Sequence, residues 1–420
     1  MKLNIRRTIC IGAAFLSISA FWQLYDNIVP LILKNTFGLG ETVSGAIMAL
    51  DNVLALILLP IFGALSDKTN TRLGRRTPFI LVGTILAASI MMLIPTADAA
   101  QNLPLFFIAL AAVLLSMGLY RSPAVALMPD LTPKPLRSKA NAIINLMGTI
   151  GGIYTLVCIK IFIGPGERPS YVAIFCAVAA LMVTALAVLL LTVREKKLAD
   201  EIVALEGEAN SANDEELPQG AGAGVKLPKP VFRSLCFLLL SVFFWFMAYN
   251  AVTTAFSRYA TEVWGLESGG FADCLMVATV AAVITYIPVG ALATRFGRKR
   301  VILCGILLMA AAFCTGIFFI NYSPLLNVVF AVVGIGWATI NVNSYPMVVE
   351  MSMHGDIGRY TGLYYTFSMA AQITTPILSG VLLEHVSYRT LFPYAAIFMA
   401  LAFCTMLMVK HGDNLHAAAK

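Results

Sequence analysis

A short basic turn occurs twice in this chain, each time between apolar runs long enough to cross a bilayer. Thr71-Arg-Leu-Gly-Arg-Arg76 is matched by Thr294-Arg-Phe-Gly-Arg-Lys299, an offset of 294 − 71 = 223 residues. The same offset carries Phe21-Trp22 and Asn27 onto Phe244-Trp245 and Asn250, and Pro123 onto Pro346. Anchors in several different apolar segments indicate a parallel duplication of about six spans per half.

The apolar runs set the class. Of 420 residues, 59% are hydrophobic and 12% charged, against roughly 25% charged in soluble domains. Most runs approach or exceed the ~20 residues that cross a bilayer as helix. The chain is therefore expected to be an all-α polytopic membrane protein. Twelve spans are predicted, at roughly 8–33, 42–65, 78–97, 103–128, 140–163, 170–193, 231–258, 271–294, 301–320, 324–349, 358–383 and 390–410. The expected division is 1–193 as one six-helix bundle, 194–229 as a cytoplasmic linker, and 230–420 as a second bundle with a short tail. Residues 194–208 are charged enough for a short amphipathic helix. Residues 210–224 are too polar and too rich in Gly, Ala and Pro to bury a core.

Charge fixes the expected orientation. With both ends inside, the inner loops hold Lys68, Arg72, Arg75 and Arg76, then Lys134, Arg137 and Lys139, then Arg194, Lys196 and Lys197, then Arg295, Arg298, Lys299 and Arg300. The outer loops hold only scattered cases such as Lys34, Arg168 and Arg389. Both termini are thus expected in the cytoplasm. The net charge of +7 is explained by these loops and not by nucleic acid. The first apolar run is long, carries Gln23, Asp26 and Asn27 and lacks a small-x-small site, so it reads as a span and not as a cleaved leader. The eight cysteines fall mostly in apolar runs without metal-ligand spacing, so no metal site, disulfide framework or cofactor is expected. No nucleophile–base constellation suggests an enzyme.

Charges inside spans are costly and usually functional. Asp26 lies about seven residues from the outer end of the first span, and Asp51 about ten residues into the second. By helix rise the two carboxylates sit at similar depth on neighbouring helices, which makes them candidates for carrying a coupled proton. Helix-packing hydrogen bonds are the competing reading for Asp51. Arg121, in the fourth span, is a candidate for substrate hydroxyls or for a state-dependent ion pair, with snorkelling to the inner surface as the alternative. Lys160 and Arg258 are close enough to span ends that snorkelling is expected for both.

Polar aromatics and amides recur where a duplicated transporter would line its cavity. The first half offers Trp22, Gln23, Tyr25, Asn27 and Tyr120; the second offers Trp245, Tyr249, Asn250, Asn341, Tyr345, Tyr365 and Gln372. Amides and carboxylates pair with vicinal hydroxyls, and aromatic faces cover the apolar face of a sugar ring. An interfacial aromatic belt with helix-packing amides is the alternative for part of this set. At the inner face, Asp67, Asp130 and Glu350 lie near Arg72, Arg75, Arg76, Arg137, Arg295, Arg298 and Arg359. These read either as ion pairs of a cytoplasmic gate or as headgroup anchors.

The stretch Pro60-Ile-Phe-Gly63-x-x-Ser66-Asp67-x-x-x-x-Arg72-x-Gly74-Arg75-Arg76-x-Pro78-Phe79-Ile80 closely resembles the second-to-third-span signature of sucrose transporters. It is similar also to the wider glycoside–pentoside–hexuronide:cation symporter group of the major facilitator superfamily. Ser122-Pro123-Ala-Val-Ala126-Leu127-Met-Pro-Asp130-Leu131 resembles that group's fourth-span end, and Gly358-x-Tyr360-Thr361-Gly362-Leu363-Tyr364-Tyr365 its eleventh-span start. The resemblance implies a major facilitator fold of two pseudo-symmetric six-helix halves. It implies cation-coupled uptake of a sugar or glycoside by alternating access, with substrate bound near the midplane. Melibiose-permease-like members carry cation-binding acids one and five positions before Pro60; here these positions are Leu59 and Ala55. No sodium site carries over, which leaves Asp26 and Asp51 as proton candidates. Plant sucrose transporters have an arginine at the position of Val125; here it is Arg121, one turn earlier, so sucrose itself does not carry over.

The expected partners are a small sugar, a coupling proton and the lipid bilayer of a plasma (inner) membrane, with the chain acting as a monomer. A uniporter or an efflux carrier for another polar solute is the alternative within the transporter class. A non-transporting sensor would require a signalling domain that the linker and tail do not supply.

Overall fold

A computed structural model of the chain describes residues 4–132, 137–164, 169–201, 228–266, 269–351 and 357–412. Among these residues, twelve helices are long and apolar enough to cross a bilayer. We label them in chain order. The first six are α1 (Ile5–Asn35), α2 (Glu41–Lys68), α3 (Thr77–Ala99, loosened at Met91-Met92), α4 (Leu103–Asp130), α5 (Arg137–Phe162) and α6 (Val172–Thr192). The second six are α7 (Lys229–Trp264), α8 (Phe271–Phe296), α9 (Arg298–Ile317), α10 (Leu325–Glu350), α11 (Ile357–His385) and α12 (Leu391–Leu407). The twelve expected spans each fall on one of these helices. Residues 195–201 form a further helical turn or two, while 202–227, most of the expected linker, lie outside the described residues.

The repeat offset holds at the level of helices. Adding 223 to the start of α1 gives 228 against an observed 229, to α4 gives 326 against 325, and to α5 gives 360 against 357. Pro123 and Pro346 both lie inside their helices, α4 and α10.

The chain divides into two compact units. The first comprises residues 1–38 and 50–216. In it α1 packs on α5 and α6, and α3 packs on α4 and α6. The second comprises residues 39–49 and 217–420, so the first turns of α2 group with it. There α7 packs on α11 and α12, and α9 on α10 and α12. These four pairings of the second unit are those of the first shifted by six helices. Lipid gives no hydrophobic drive between helices, so close backbone approach through small residues carries the packing. A Cβ on Gly151 of α5 would stand 2.0 Å from the Leu16 carbonyl oxygen of α1. In the second unit a Cβ on Gly334 of α10 would stand 1.9 Å from the Ala278 carbonyl oxygen of α8.

Candidate functional site

In the first unit, α1, α2 and α4 bring the intramembrane charges together. The Arg121 guanidinium lies over the Trp22 ring, 5.3 Å from its centroid. Asp51 and Arg121 both act electrostatically on Asp26, and Arg121 also acts on Asp51. Tyr25 feels both carboxylates, and its ring meets Trp22 edge-on at 5.4 Å. Trp22, Asp51 and Arg121 line a small cavity whose remaining wall is apolar, with Leu58, Gly118 and Leu114. Ala55 and Leu59, where the similar permeases carry acids, lie on that same wall. Helix spacing explains the convergence: Trp22, Tyr25 and Asp26 stand at i, i+3 and i+4 on one face of α1.

Three polar atoms near this cluster are buried without a hydrogen-bond partner among the described residues: the Trp22 indole N–H, the Tyr25 hydroxyl and the Asn27 side-chain oxygen. Buried polar groups are normally satisfied. Two donor-bearing groups and one acceptor beside two carboxylates suit a polyhydroxylated ligand. The Asn27 amide nitrogen is already used, donating to the Gln23 carbonyl at 2.9 Å. Gln23 itself lies against Gly152 of α5. Tyr120 is not part of the cluster: its hydroxyl bonds Ser17 and donates to the Ala14 carbonyl at 2.7 Å, tying α4 to α1.

In the second unit, the candidates from α7, α10 and α11 assemble into an aromatic patch. Tyr249 and Trp337 stack with ring centroids 3.6 Å apart and planes 3° from parallel. Phe246 joins Trp337 to Tyr364, and Tyr364 meets both Tyr345 and Tyr365 at 5.6 Å. The Asn250 side-chain N–H₂ is buried and without a partner among the described residues. Trp245 is fully buried in the helix packing. Asn341 is exposed. The Gln372 amide returns to the Ser368 carbonyl of its own helix at 3.3 Å.

The basic loop after α2 forms a network inside the first unit. Arg76 is buried and pairs with Asp67 and, at 2.9 Å, with Asp130; it also bonds Ser66 and the Gly63 carbonyl. Arg75 reaches Asp130 at 3.7 Å. These bonds tie the adjoining ends of α2, α3 and α4 to one another. Arg72 is exposed, Arg295 covers the Phe296 ring, and Arg298 opens α9 half-buried. The side chains of Arg137, Glu350 and Arg359 lie outside the described residues.

Glu195 completes this network and was not anticipated. Its buried carboxylate accepts from the backbone N–H groups of Arg75 and Thr77 at 2.7 Å and of Arg76 at 2.9 Å, and from the Thr77 hydroxyl at 2.6 Å. It thus caps α3 from 118 residues away in sequence and adds its charge at a helix N-terminus. The turn it grips needs Gly74, whose φ of +119° would strain any other residue. Glu195→Ala should destabilise the protein by about 2 kcal/mol through the orphaned N–H groups. A lowered melting temperature of the purified protein, with a smaller drop for Glu195→Gln, is the expected reading.

Arg258 does not snorkel. Its side chain is 4% exposed and pairs with Glu41, 5% exposed, at 3.1 Å. Glu41 also accepts from the Tyr388 hydroxyl. Nothing local signals this pair: it joins the start of α2 to the last turns of α7, both in the second unit.

The family model for MFS/sugar transport proteins matches residues 10–375. Sucrose transport protein SUC3 of Arabidopsis thaliana is 29% identical over 151 residues, covering 31% of this chain and 25% of that protein. Lactose permease of Lactobacillus helveticus is 29% identical over 125 residues, covering 27% of this chain and 19% of that protein. The chain thus spans only about a quarter of the length of these curated relatives. Among solved structures, the inward-open xylose transporter XylE from E. coli superposes with a TM-score of 0.70 at 14% identity over 96% of each chain. A bacterial homologue of the iron transporter ferroportin superposes at 0.69, 12% identical, over 98% of this chain and 100% of that one. Those two likenesses show the fold. Twelve bilayer-length helices among the described residues, charges gathered inside the spans and a family match over most of the sequence agree with one another: the chain is a multi-pass membrane protein, and it belongs to the MFS/sugar transport protein family.

Proposed function

We propose that the protein moves a sugar or glycoside across the plasma membrane by alternating access, coupled to the co-transport of a proton. The observation that carries the reading is the cluster of Asp26, Asp51 and Arg121 beside Trp22 and Tyr25 inside the first unit. Two carboxylates and one guanidinium sum to a formal charge of −1. One proton taken up by either carboxylate makes the cluster neutral, and a neutral cluster is far cheaper to close off from water inside the membrane. Asp26 is the carrier in this reading, with Asp51 and Arg121 setting its field.

Sugar recognition follows from neighbouring groups. The buried N–H of Trp22, the Tyr25 hydroxyl and the Asn27 carbonyl oxygen supply a donor, a donor–acceptor and an acceptor for hydroxyl groups. A sugar that satisfies the orphaned groups favours the same state that the proton favours. By linkage, each then raises the affinity for the other by the same factor. The basic loops support an orientation with both termini in the cytoplasm, in which the C-terminal end of α1 and the start of α2 face outside.

Uptake of radiolabelled mono- and disaccharides into proteoliposomes, with pH or sodium gradients of either sign, tests the reading. An inward proton gradient of one pH unit should concentrate at least one sugar ~10-fold for one proton per sugar. Accumulation driven by sodium alone, or no uptake of any sugar, would overturn it.

A further inference from the structure

The ends of α7 and α12 enclose a second cavity, remote in sequence from the intramembrane charges. Its volume is about 400 Å³, within the range of small-molecule sites. Lys229 and Arg233 line it from the first turns of α7, and Lys410 and His411 from the segment that follows α12. Among the described residues, none of the salt bridges involves Lys229, Arg233 or Lys410. Pro230, Phe237 and Met408 supply the apolar part of the wall, and the Arg233 guanidinium lies 5.6 Å from the Phe237 ring centroid.

The basic wall is held in place. Buried Ser234 accepts the Lys410 backbone N–H at 3.2 Å and shares a hydrogen bond with His411 Nδ1 at 2.8 Å. Lys299 on α9 bonds the Leu407 and Val409 carbonyls at 3.0 and 2.6 Å, which fixes the end of α12 from the other side. The cations therefore converge on one concave place and do not lie scattered along a loop.

What adjoins the cavity tells its occupant. Arg233, Phe237 and Leu240 stand at i, i+4 and i+7 on α7, and Leu240 is 38% exposed. Leu401 on α12 and Met408, the residue that caps that helix, stand seven residues apart and are 41% and 50% exposed. Two apolar helix faces thus run from the cationic cavity along the span. A free phosphate would use only the cations. A lipid would use both parts, with its phosphate at the cations and its acyl chains along the faces.

We propose that this cavity binds the phosphate headgroup of an anionic membrane phospholipid, whose chains lie against the exposed faces of α7 and α12. Native mass spectrometry of the purified full chain tests it, with phosphatidylglycerol and phosphatidylcholine as probes and inorganic phosphate as competitor. The wild type should retain phosphatidylglycerol at least tenfold over phosphatidylcholine. Arg233→Gln with Lys410→Gln should abolish that preference, while the charge-keeping pair Arg233→Lys with Lys410→Arg should preserve it. Equal retention of the two lipids by the wild type, or an unchanged preference in the Gln pair, would overturn the proposal. Displacement of the lipid by an equimolar amount of inorganic phosphate would assign the cavity to a soluble anion instead and equally overturn it.

Discussion

Asp26→Asn should abolish proton-driven accumulation while sparing exchange. Asparagine keeps the shape and the hydrogen-bonding capacity of the side chain but cannot take up and release a proton. In proteoliposomes, the accumulation ratio under an inward pH gradient should fall from ~10 per pH unit to about 1. Counterflow of labelled against unlabelled sugar moves no net proton and should persist. Asp51→Asn separates the two carboxylates: it should weaken the ratio less, since Asp51 sets the field at Asp26 but is not the carrier in this account. Full accumulation by Asp26→Asn would move the proton elsewhere.

The second large effect is on stability. Arg258→Met leaves the Glu41 carboxylate buried without its counter-charge. Removing one member of a buried pair costs about 3–5 kcal/mol, whereas replacing both by neutral groups can be close to neutral. Arg258→Met alone should therefore lower the melting temperature sharply, and Glu41→Gln with Arg258→Met should recover most of the loss. The cycle of wild type, two single variants and the double variant isolates the coupling between them. Equal losses in the single and double variants would mean that the pair is not what holds this corner together.

Much of the fold is legible in the residues because lipid leaves so few options. A run of ~20 apolar residues must be helical and must span, so the twelve segments could be placed to within a few residues. The 223-residue offset marks the duplication, and equivalent helices of a duplicated chain pack alike. The cluster around Asp26 was legible for a related reason. Charge inside a span is costly enough to mark itself, and helix rise alone put Asp26 and Asp51 at one depth.

What sequence could not reveal were partners set by tertiary contact. Glu195 looks like one more charge in a solvated loop, yet it caps α3. Arg258 looks like a snorkelling terminus, yet its partner is Glu41, 217 residues earlier (258 − 41). Tyr120 has the composition of a cavity residue, yet its hydroxyl is consumed in joining α4 to α1. In each case the residue type was informative about cost but silent about which neighbour compensates it.

The central claim is that sugar and proton cross together. The most direct measurement is proton movement evoked by sugar alone, in proteoliposomes that enclose a pH-sensitive dye and start with no pH gradient and a potential clamped at zero. Adding a transported sugar outside should acidify the lumen, with protons and labelled sugar entering in a fixed ratio, and Asp26→Asn should remove the acidification. Sugar entry with no change in luminal pH would contradict the account.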